Sequence, residues 1–182
     1  MNEDTLDLKP APGSADHVRG SLDAPVIVTE YADFECPYCG DAARVLDEVL
    51  ARHGDAVALV FRNYPLPMHP HAEAAAEAAE AAAAAGKFWE MHDLLFRRQR
   101  ALGGRDLQAY AREVGIDASA VASAVETHQY RERIERDVQS GDESGVEGTP
   151  SLFINGLTYD GEVTVEELTS AIEEALGRRS RV

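Results

Sequence analysis

The sequence predicts an α/β fold in which a β-α-β unit and a later β-β-α unit enclose a large helical insertion. An apolar stretch at 25–31, rich in β-branched residues, leads through the chain's two cysteines into an amphipathic stretch at 41–52. Residues 71–139 then show helical periodicity. Finally, Asn155-Gly156 separates two short apolar runs, which is the strongest short-range signal for a β-hairpin.

Composition limits the class of protein. A chain of 182 residues with 45% hydrophobic residues is long and apolar enough for one domain, or for one domain with a large insertion. A net charge of −16 argues against a nucleic acid or an anionic membrane surface as partner. No apolar run approaches the roughly 18 residues of a membrane-spanning helix, so no stable membrane insertion is expected.

The predicted domain organisation is discontinuous. Residues 1–15 are interpreted as a flexible N-terminal segment, residues 16–62 and 146–178 as the α/β domain, and residues 63–145 as the inserted helical domain. Residues 1–12 have neither the basic start nor the apolar centre of a secretory signal. The expected location is therefore the cytoplasm as the sequence stands, or outside it if an export signal has been removed.

The first unit consists of a strand at 25–31, a helix at 41–52 and a second strand at 56–62. Strands in this order should be parallel and joined by a right-handed crossover. Pro37 belongs at the first position of the helix, where its missing N–H costs nothing. Cys36 is therefore predicted to be the residue that caps the helix.

The insertion is predicted to be entirely helical, because glycines and aspartates punctuate its periodic segments. The predicted helices are 71–85, 87–100, 106–114, 117–127 and 129–139. After the hairpin, Thr164 and Glu167 form a capping box for a last helix, which Gly177 ends.

The two cysteines have the C-x-x-C spacing and stand at a helix N-terminus. Free backbone N–H groups and the helix dipole favour the thiolate form of Cys36 there. Cys39 lies three residues further on, so it shares the same helix face and is placed to close a small disulfide ring with Cys36.

Two other interpretations of the pair stay open at this point, half of a metal site or two unreactive thiols. Zinc normally takes four ligands, and no second cysteine pair exists. A disulfide that closes so short a loop would stabilise the fold very little, which argues against a structural role. The pair therefore favours redox chemistry, and no metal is expected.

A family resemblance rests on the order of the elements and on four stretches. These are Phe34-Glu35-Cys36-Pro37-Tyr38-Cys39, Gly148-Thr149-Pro150, Phe61-Arg62-Asn63-Tyr64-Pro65-Leu66 and Gly86-Lys87-Phe88-Trp89-Glu90-Met91-His92. Over about residues 16–178 the chain resembles the DsbA-like branch of the thioredoxin-fold superfamily. The resemblance implies a thioredoxin fold with a large helical insertion.

The resemblance also implies roles for four residues. Cys36 would be the nucleophile of thiol–disulfide exchange, and Cys39 the more buried resolving cysteine. Pro150 would be a cis proline that faces the disulfide. Thr149 would offer its backbone to an extended substrate, as in strand addition. No organic cofactor is implied.

Glu30 is the remaining candidate. The resemblance implies a buried glutamate below the cysteines, which could relay a proton to or from Cys39. The alternative is a glutamate at the strand end in contact with solvent. Glu35, Pro37 and Tyr38 flank or fill the motif and are expected to tune it, although Tyr38 stands where the family's best-known member has histidine.

The function predicted for the chain is thiol–disulfide exchange with protein or peptide thiols and disulfides, together with an unidentified redox partner. One alternative is a glutathione-dependent transferase or isomerase of the same superfamily. Another is a redox-sensing or peptide-binding module without turnover. A monomer is expected, because the N-terminal region is too short for the extra domain through which family isomerases dimerise.

Three histidines could suggest a metal site, but a structural role is favoured. His69-Pro70-His71 is interpreted as the opening of a helix, and His92 lies beside the apolar stripe of the next one. We expect all three to be solvated or hydrogen-bonded structural histidines.

Overall fold

A computed structural model describes residues 6–179 of the chain, and it has a mixed α/β architecture with a five-stranded sheet. The elements, in chain order, are β1 (His17–Arg19), β2 (Val26–Ala32), α1 (Pro37–His53), a 3-10 turn (Gly54–Ala56), β3 (Val57–Asn63), α2 (Ala72–Ala84), α3 (Phe88–Arg97), α4 (Gly104–Glu113), α5 (Ala118–Thr127), α6 (Arg131–Glu143), β4 (Ser151–Ile154), β5 (Leu157–Tyr159) and α7 (Val165–Arg179).

The sheet has the strand order β1-β3-β2-β4-β5. The central pair β2–β3 is parallel, as the β-α-β pattern predicts, and the other three pairs are antiparallel. Glu30 on β2 lies in register with Phe61 on β3 and with Leu152 on β4. The predicted site residue therefore sits in the centre of the sheet rather than at a strand end.

Alternation along the central strand divides the core. Val26 and Val28 point to one face, where they pack with Leu46 of α1 and Ile172 of α7. Burying such side chains contributes about 1.5–3 kcal/mol each relative to exposure. This face fixes α1, and therefore the cysteines at its N-terminus, against the sheet.

The insertion and the sheet share a second core. Phe34 and Phe61 from the α/β part pack with Met91 and Leu95 from α3, and both cysteines belong to the same cluster of buried residues. The helices of the insertion therefore form part of the surroundings of the cysteine motif.

The N-terminal segment differs from the sequence-based expectation for residues 1–15. Residues 1–5 lie outside the described residues, but from Leu6 onward the chain packs on the fold. Leu8 is buried beside Tyr31 and Phe153, and the backbone N–H of Leu8 donates to Gly156 at 3.0 Å. Two leucines in a short polar segment are too few to establish a periodicity, which explains why no pattern predicted this packing.

Some element boundaries also differ. The sequence did not predict β1, whose three residues are too short to show a periodic pattern. Helix α4 begins at Gly104 rather than at 106 and has Gly103 at its N-cap, with Asp106 in the first turn accepting from the Gly103 N–H at 3.1 Å. Helix α6 begins at Arg131 and extends to Glu143, beyond the predicted end.

Across residues 6–179, none of the helices combines the length and the apolar character that crossing a membrane requires.

Candidate active site

The cysteine motif forms the junction between β2 and α1. Cys36 is the N-cap residue of α1 and Pro37 is the first helical residue, as predicted. Both cysteines are free and buried, with 3% of Cys36 and 0% of Cys39 exposed. Because the Cys36 side chain makes no capping hydrogen bond, its sulfur is available for chemistry at the positive end of the helix.

Each sulfur has a backbone neighbour. The Cys36 thiol donates to the carbonyl oxygen of Thr149 at 3.5 Å, and the backbone N–H of Asp33 donates to the Cys39 sulfur at 3.5 Å. Pairing of β2 with β4, with Tyr31 opposite Ser151, brings the Gly148-Thr149-Pro150 loop to the motif. The Thr149–Pro150 peptide bond is cis.

The Thr149 side chain also turns inward. Its hydroxyl is buried without a hydrogen bond of ordinary geometry, yet it lies near enough to Cys39 to favour the thiolate there. The main chain of Thr149 therefore faces the Cys36 sulfur, while its side chain lies beside the Cys39 sulfur. The structure brings together Cys36, Cys39, Thr149 and Pro150, four of the five residues that the sequence analysis places in the reaction.

Glu30 is fully buried, with 0% exposed, and neither carboxyl oxygen has a hydrogen-bond partner. Burial, and to a smaller extent the nearby negative charge of Asp47, raise the pKa of Glu30 to about 8. The carboxyl group is therefore mostly protonated at neutral pH. The alternative of a solvent-exposed strand end does not describe this residue.

Cys39 lies in the same environment. Burial, and then the negative charge of Glu30 when ionised, raise the pKa of the Cys39 thiol well above its usual range. Cys39 as a leaving thiolate would therefore take up a proton readily, and Glu30 is a nearby buried group that could carry one.

Sequence reasoning missed the acidic residue Asp33. Its buried carboxylate accepts hydrogen bonds from the backbone N–H groups of Glu35 at 2.7 Å and of Leu66 at 2.8 Å, and it pairs with His69 Nδ1 at 2.6 Å. Asp33 therefore fastens the segment before Cys36 to the start of the insertion. No local signal marks this role, because Leu66 and His69 lie more than 30 residues away from Asp33.

Glu35 makes a second attachment of the same kind. It accepts from the backbone N–H of His71 at 2.6 Å and pairs with His71 Nδ1 at 2.8 Å. Burial would raise the pKa of Glu35, but the hydrogen bonds and charge of His71 outweigh it, so the net shift is downward. His69 and His71 are therefore hydrogen-bonded partners of acidic residues, in agreement with the structural role predicted for them.

His92 is part of the aromatic packing below the motif. Its ring lies 5.8 Å from the ring of Phe34, centroid to centroid, and its Nδ1 contacts Asp93 at 2.8 Å. Burial lowers the pKa of His92, which keeps the ring neutral. Among residues 6–179, no group of three or more histidine, cysteine or acidic side chains is placed to hold a metal ion.

The surface around the motif is partly apolar. Tyr38 is 71% exposed and Met68 is 73% exposed, the largest exposures of big apolar side chains among residues 6–179. Asp33 and Glu35 hold the segment that carries Met68 close to the segment that carries Cys36. A partner approaching Cys36 therefore meets a protein surface with apolar side chains.

A second polar residue that the sequence analysis missed is Gln99, in the loop between α3 and α4. Its side-chain amide donates to the carbonyl oxygens of Cys36 at 2.6 Å and of Phe34 at 3.0 Å. Only the folded structure reveals the contact, because 63 residues separate Gln99 from Cys36.

The arrangement defines a class of protein. A dithiol at a helix N-terminus, a facing Thr-Pro loop with a cis bond and a buried glutamate, all on a mixed five-stranded sheet with a helical insertion, describe a DsbA-like thioredoxin-fold protein. Comparison with known sequences agrees, since the sequence model of a family described as Thioredoxin matches residues 13–174. The chain belongs to this family.

Solved structures show the same fold. A thioredoxin-like oxidoreductase from Silicibacter pomeroyi DSS-3 is similar with a TM-score of 0.80 and 26% sequence identity, covering 100% of this chain and 99% of that one. Oxidised BdbD from Bacillus subtilis is similar with a TM-score of 0.81 and 22% identity, covering 90% of this chain and 94% of that one.

The curated proteins with similar sequences are named as ion antiporters rather than as oxidoreductases. The Na(+)/H(+) antiporter NhaA 3 of Salinispora tropica is 44% identical over 176 residues, which are 96% of this chain but 27% of the antiporter. The chain thus spans about a quarter of the length of the curated relatives it matches.

Proposed function

We propose that this protein is a thiol–disulfide oxidoreductase that exchanges disulfides with protein or peptide substrates through Cys36 and Cys39. The observation that carries the proposal is the asymmetry of the two sulfurs. Cys36 lies at a helix N-terminus next to the Thr149 carbonyl, whereas Cys39 is fully buried in a region where Glu30 raises its pKa. Such an asymmetry suits one attacking and one resolving sulfur.

In the oxidising direction, a substrate thiolate attacks the Cys36 sulfur of the Cys36–Cys39 disulfide. A mixed disulfide forms between substrate and Cys36, and Cys39 leaves as a thiolate. Glu30, whose pKa of about 8 keeps it protonated at neutral pH, supplies the proton that Cys39 takes up.

A second substrate thiolate then attacks the substrate sulfur of the mixed disulfide. The substrate gains a disulfide, and Cys36 leaves as a thiolate that the helix N-terminus stabilises. The substrate is oxidised by two electrons and the protein is reduced by two. In the reducing direction the same steps run backwards, and ionised Glu30 accepts the proton from Cys39.

The substrate backbone is proposed to align along the Thr149-Pro150 loop by strand addition. Tyr38 and Met68 add apolar contact area beside Cys36, which suits an unfolded or extended polypeptide. A redox partner then restores the starting state of the dithiol. The curated relatives are named as ion antiporters, but we do not propose ion transport for this chain. The region that matches them is the region that contains the dithiol site.

The test compares three proteins in insulin reduction and in oxidative refolding of a reduced substrate. Wild type should turn over, Cys36→Ser should lose all measurable activity, and Cys39→Ser should accumulate a mixed disulfide with substrate that is visible on a non-reducing gel. Activity retained by Cys36→Ser, or no reversible disulfide in wild type, would overturn the proposal.

The same variants separate the alternatives. A glutathione-dependent enzyme that uses one thiol would keep its turnover in Cys39→Ser. A binding module without catalysis would retain peptide binding in Cys36→Ser while wild type shows no turnover. Equilibration in glutathione buffers then gives the reduction potential of the Cys36–Cys39 pair, and with it the direction of catalysis. A value of roughly −120 mV would indicate a disulfide donor, and a value of roughly −270 mV a reductase.

A further inference from the structure

We propose that Gln99 is a positioning residue that raises the reactivity of Cys36 from within the helical insertion, and that Gly40 is glycine in order to admit it. The inference deepens the proposed thiol–disulfide exchange and rests on it. Three features support it: the contacts of the Gln99 amide, the crowding of donors on one carbonyl, and the space left at Gly40.

The Gln99 amide connects two parts of the chain at the motif. Its Nε2 donates to the Cys36 carbonyl at 2.6 Å and to the Phe34 carbonyl at 3.0 Å, so both N–H bonds of the amide point at the turn. Gln99 lies in the loop between α3 and α4, where the Tyr110 hydroxyl donates to the Ala101 carbonyl at 2.7 Å. The amide is therefore held by an ordered loop rather than by a free surface chain.

The Cys36 carbonyl already has donors from its own helix. The backbone N–H groups of Cys39 at 3.1 Å and Gly40 at 3.2 Å both donate to it. Gln99 adds a further donor to the same oxygen, at a shorter distance. This oxygen is the negative end of a dipole in the same residue as the Cys36 sulfur, so each donor reduces its repulsion of a thiolate.

The donor from Gln99 should shift the equilibrium between the dithiol and the disulfide toward the dithiol. A donor that favours the Cys36 thiolate stabilises the reduced form of the protein relative to its disulfide. Gln99 should therefore make the protein a better oxidant and make Cys36 a better leaving group. A neutral amide does this without adding a charge to the site.

Gly40 is otherwise unexplained. It lies buried in the first turns of α1, where glycine costs about 1 kcal/mol relative to alanine. A Cβ at this position would lie 2.3 Å from Gln99 Oε1 and 2.8 Å from Gln99 Cδ, both far too close. Any side chain at position 40 would therefore displace the Gln99 amide or push it away from Cys36.

The test uses Gln99→Met, which keeps the length of the side chain and removes its donors, and Gly40→Ala, which displaces the amide. The matched control is Gln129→Met, an exposed glutamine whose amide contacts the Tyr130 hydroxyl. Two measurements are made on each protein. One is the equilibrium constant with glutathione, and the other is the pH profile of alkylation of the single Cys36 thiol in a Cys39→Ser background.

Gln99→Met should shift the glutathione equilibrium about three- to tenfold toward the disulfide form, which is the range of one hydrogen bond. The rise of Cys36 alkylation with pH should move to higher pH. Gly40→Ala should reproduce both changes, and the double variant should add nothing further, because both changes remove one contact. The control should match wild type.

Wild-type values in Gln99→Met would overturn the role of the amide, and additive effects in the double variant would overturn the link to Gly40. A change in the urea midpoint without a change in the alkylation profile would mean a purely structural role and would also overturn it. Alkylation is measured on the reduced thiol and needs no turnover. A wild type that forms no disulfide would instead refute the proposed function, so the two failures are distinguishable.

Discussion

Glu30 and Glu35 lie on the same short stretch of chain before Cys36, and their surroundings shift their pKa values in opposite directions. Glu30, inside the sheet, has no partner for either oxygen, and its pKa rises to about 8. Glu35, beside the insertion, accepts two hydrogen bonds from His71, and its pKa falls. Burial favours the neutral form of both acids, but Glu35 is 19% exposed and meets donors that Glu30 lacks, and these donors reverse the direction of its pKa shift.

The two sides of the motif differ in the same way. On the insertion side, Asp33 and Glu35 are paired, and their contacts hold the turn in place. On the sheet side, Glu30 is unpaired and holds a proton near Cys39. Paired acids therefore hold the turn in place, whereas the unpaired acid costs stability and keeps its proton at neutral pH. The predictions below test this division.

The largest effect on stability is expected for Asp33→Ala. Removing this buried carboxylate leaves the N–H groups of Glu35 and Leu66, and the ring of His69, without their acceptor. The free energy of unfolding at pH 7 should fall by about 3 kcal/mol or more, because each buried donor left without an acceptor costs about 1 to 3 kcal/mol. Urea denaturation measures the change.

Asp41→Ala serves as the control, because Asp41 pairs with Arg44 on the exposed face of α1 and should cost less than about 1 kcal/mol. A cost for Asp33→Ala as small as that of the control would contradict the role given to the paired acids.

Glu30→Gln should increase the free energy of unfolding at neutral pH rather than decrease it. The unfolded chain loses the Glu30 proton near the usual value of 4.5, whereas the folded protein keeps it up to about 8. Wild type is therefore destabilised as pH rises through this window, by about 1.4 kcal/mol per pH unit, and glutamine avoids this loss. Glu30→Gln should be close to wild type at pH 4 and more stable by about 3 kcal/mol at pH 7.

Urea denaturation at pH 4, 6 and 8 measures this difference. The control is Glu48→Gln, because Glu48 is exposed and pairs with Arg52 on the surface. This variant should show no gain in the free energy of unfolding as the pH rises. A stability difference that stays constant across these pH values would show that Glu30 is not held protonated by the fold.

The smallest effect is expected for His71→Ala. The side-chain contact with Glu35 is lost, but the backbone N–H of position 71 still donates. His71 is half exposed, so the cost should be less than about 1 kcal/mol. Because the folded pKa of Glu35 is lowered, this contribution is present above the usual value of 4.5 and disappears as pH falls through the folded pKa.

Thermal denaturation of His71→Ala and wild type at neutral and acid pH checks the direction. A deficit that grows on acidification would reverse the sign assigned to Glu35 and would remove the contrast with Glu30.

Most of the fold was predictable from local patterns. The β-branched stretch that became β2, the amphipathic α1 and the Asn155-Gly156 turn each carry their signal within a few residues, and all three formed as predicted. Strand β1 was missed because three residues are too few for a period. The packing of Leu8 was missed because two leucines in a short polar segment are too few to establish a pattern.

The candidate site was predictable only in part. Cys36 and Cys39 are only three positions apart, so their spacing and helix position were visible. The resemblance pointed to Thr149, Pro150 and Glu30. The roles of Asp33 and Gln99 were not visible, because their contacts with Leu66, His69 and Cys36 join residues that are far apart in the chain. Pairs of this kind have no fixed spacing, and so no motif records them.

The sequence by itself determined the order of the elements and the placement of a dithiol at a helix N-terminus. Both depend on side-chain periodicity and on Pro37, which act over a few residues. Tertiary structure alone decided the opposite pKa shifts of Glu30 and Glu35, because the burial of Glu30 and the donors of Glu35 come from other elements of the fold. It also decided which residue of the insertion reaches the Cys36 carbonyl, because only packing brings Gln99 into hydrogen-bond range.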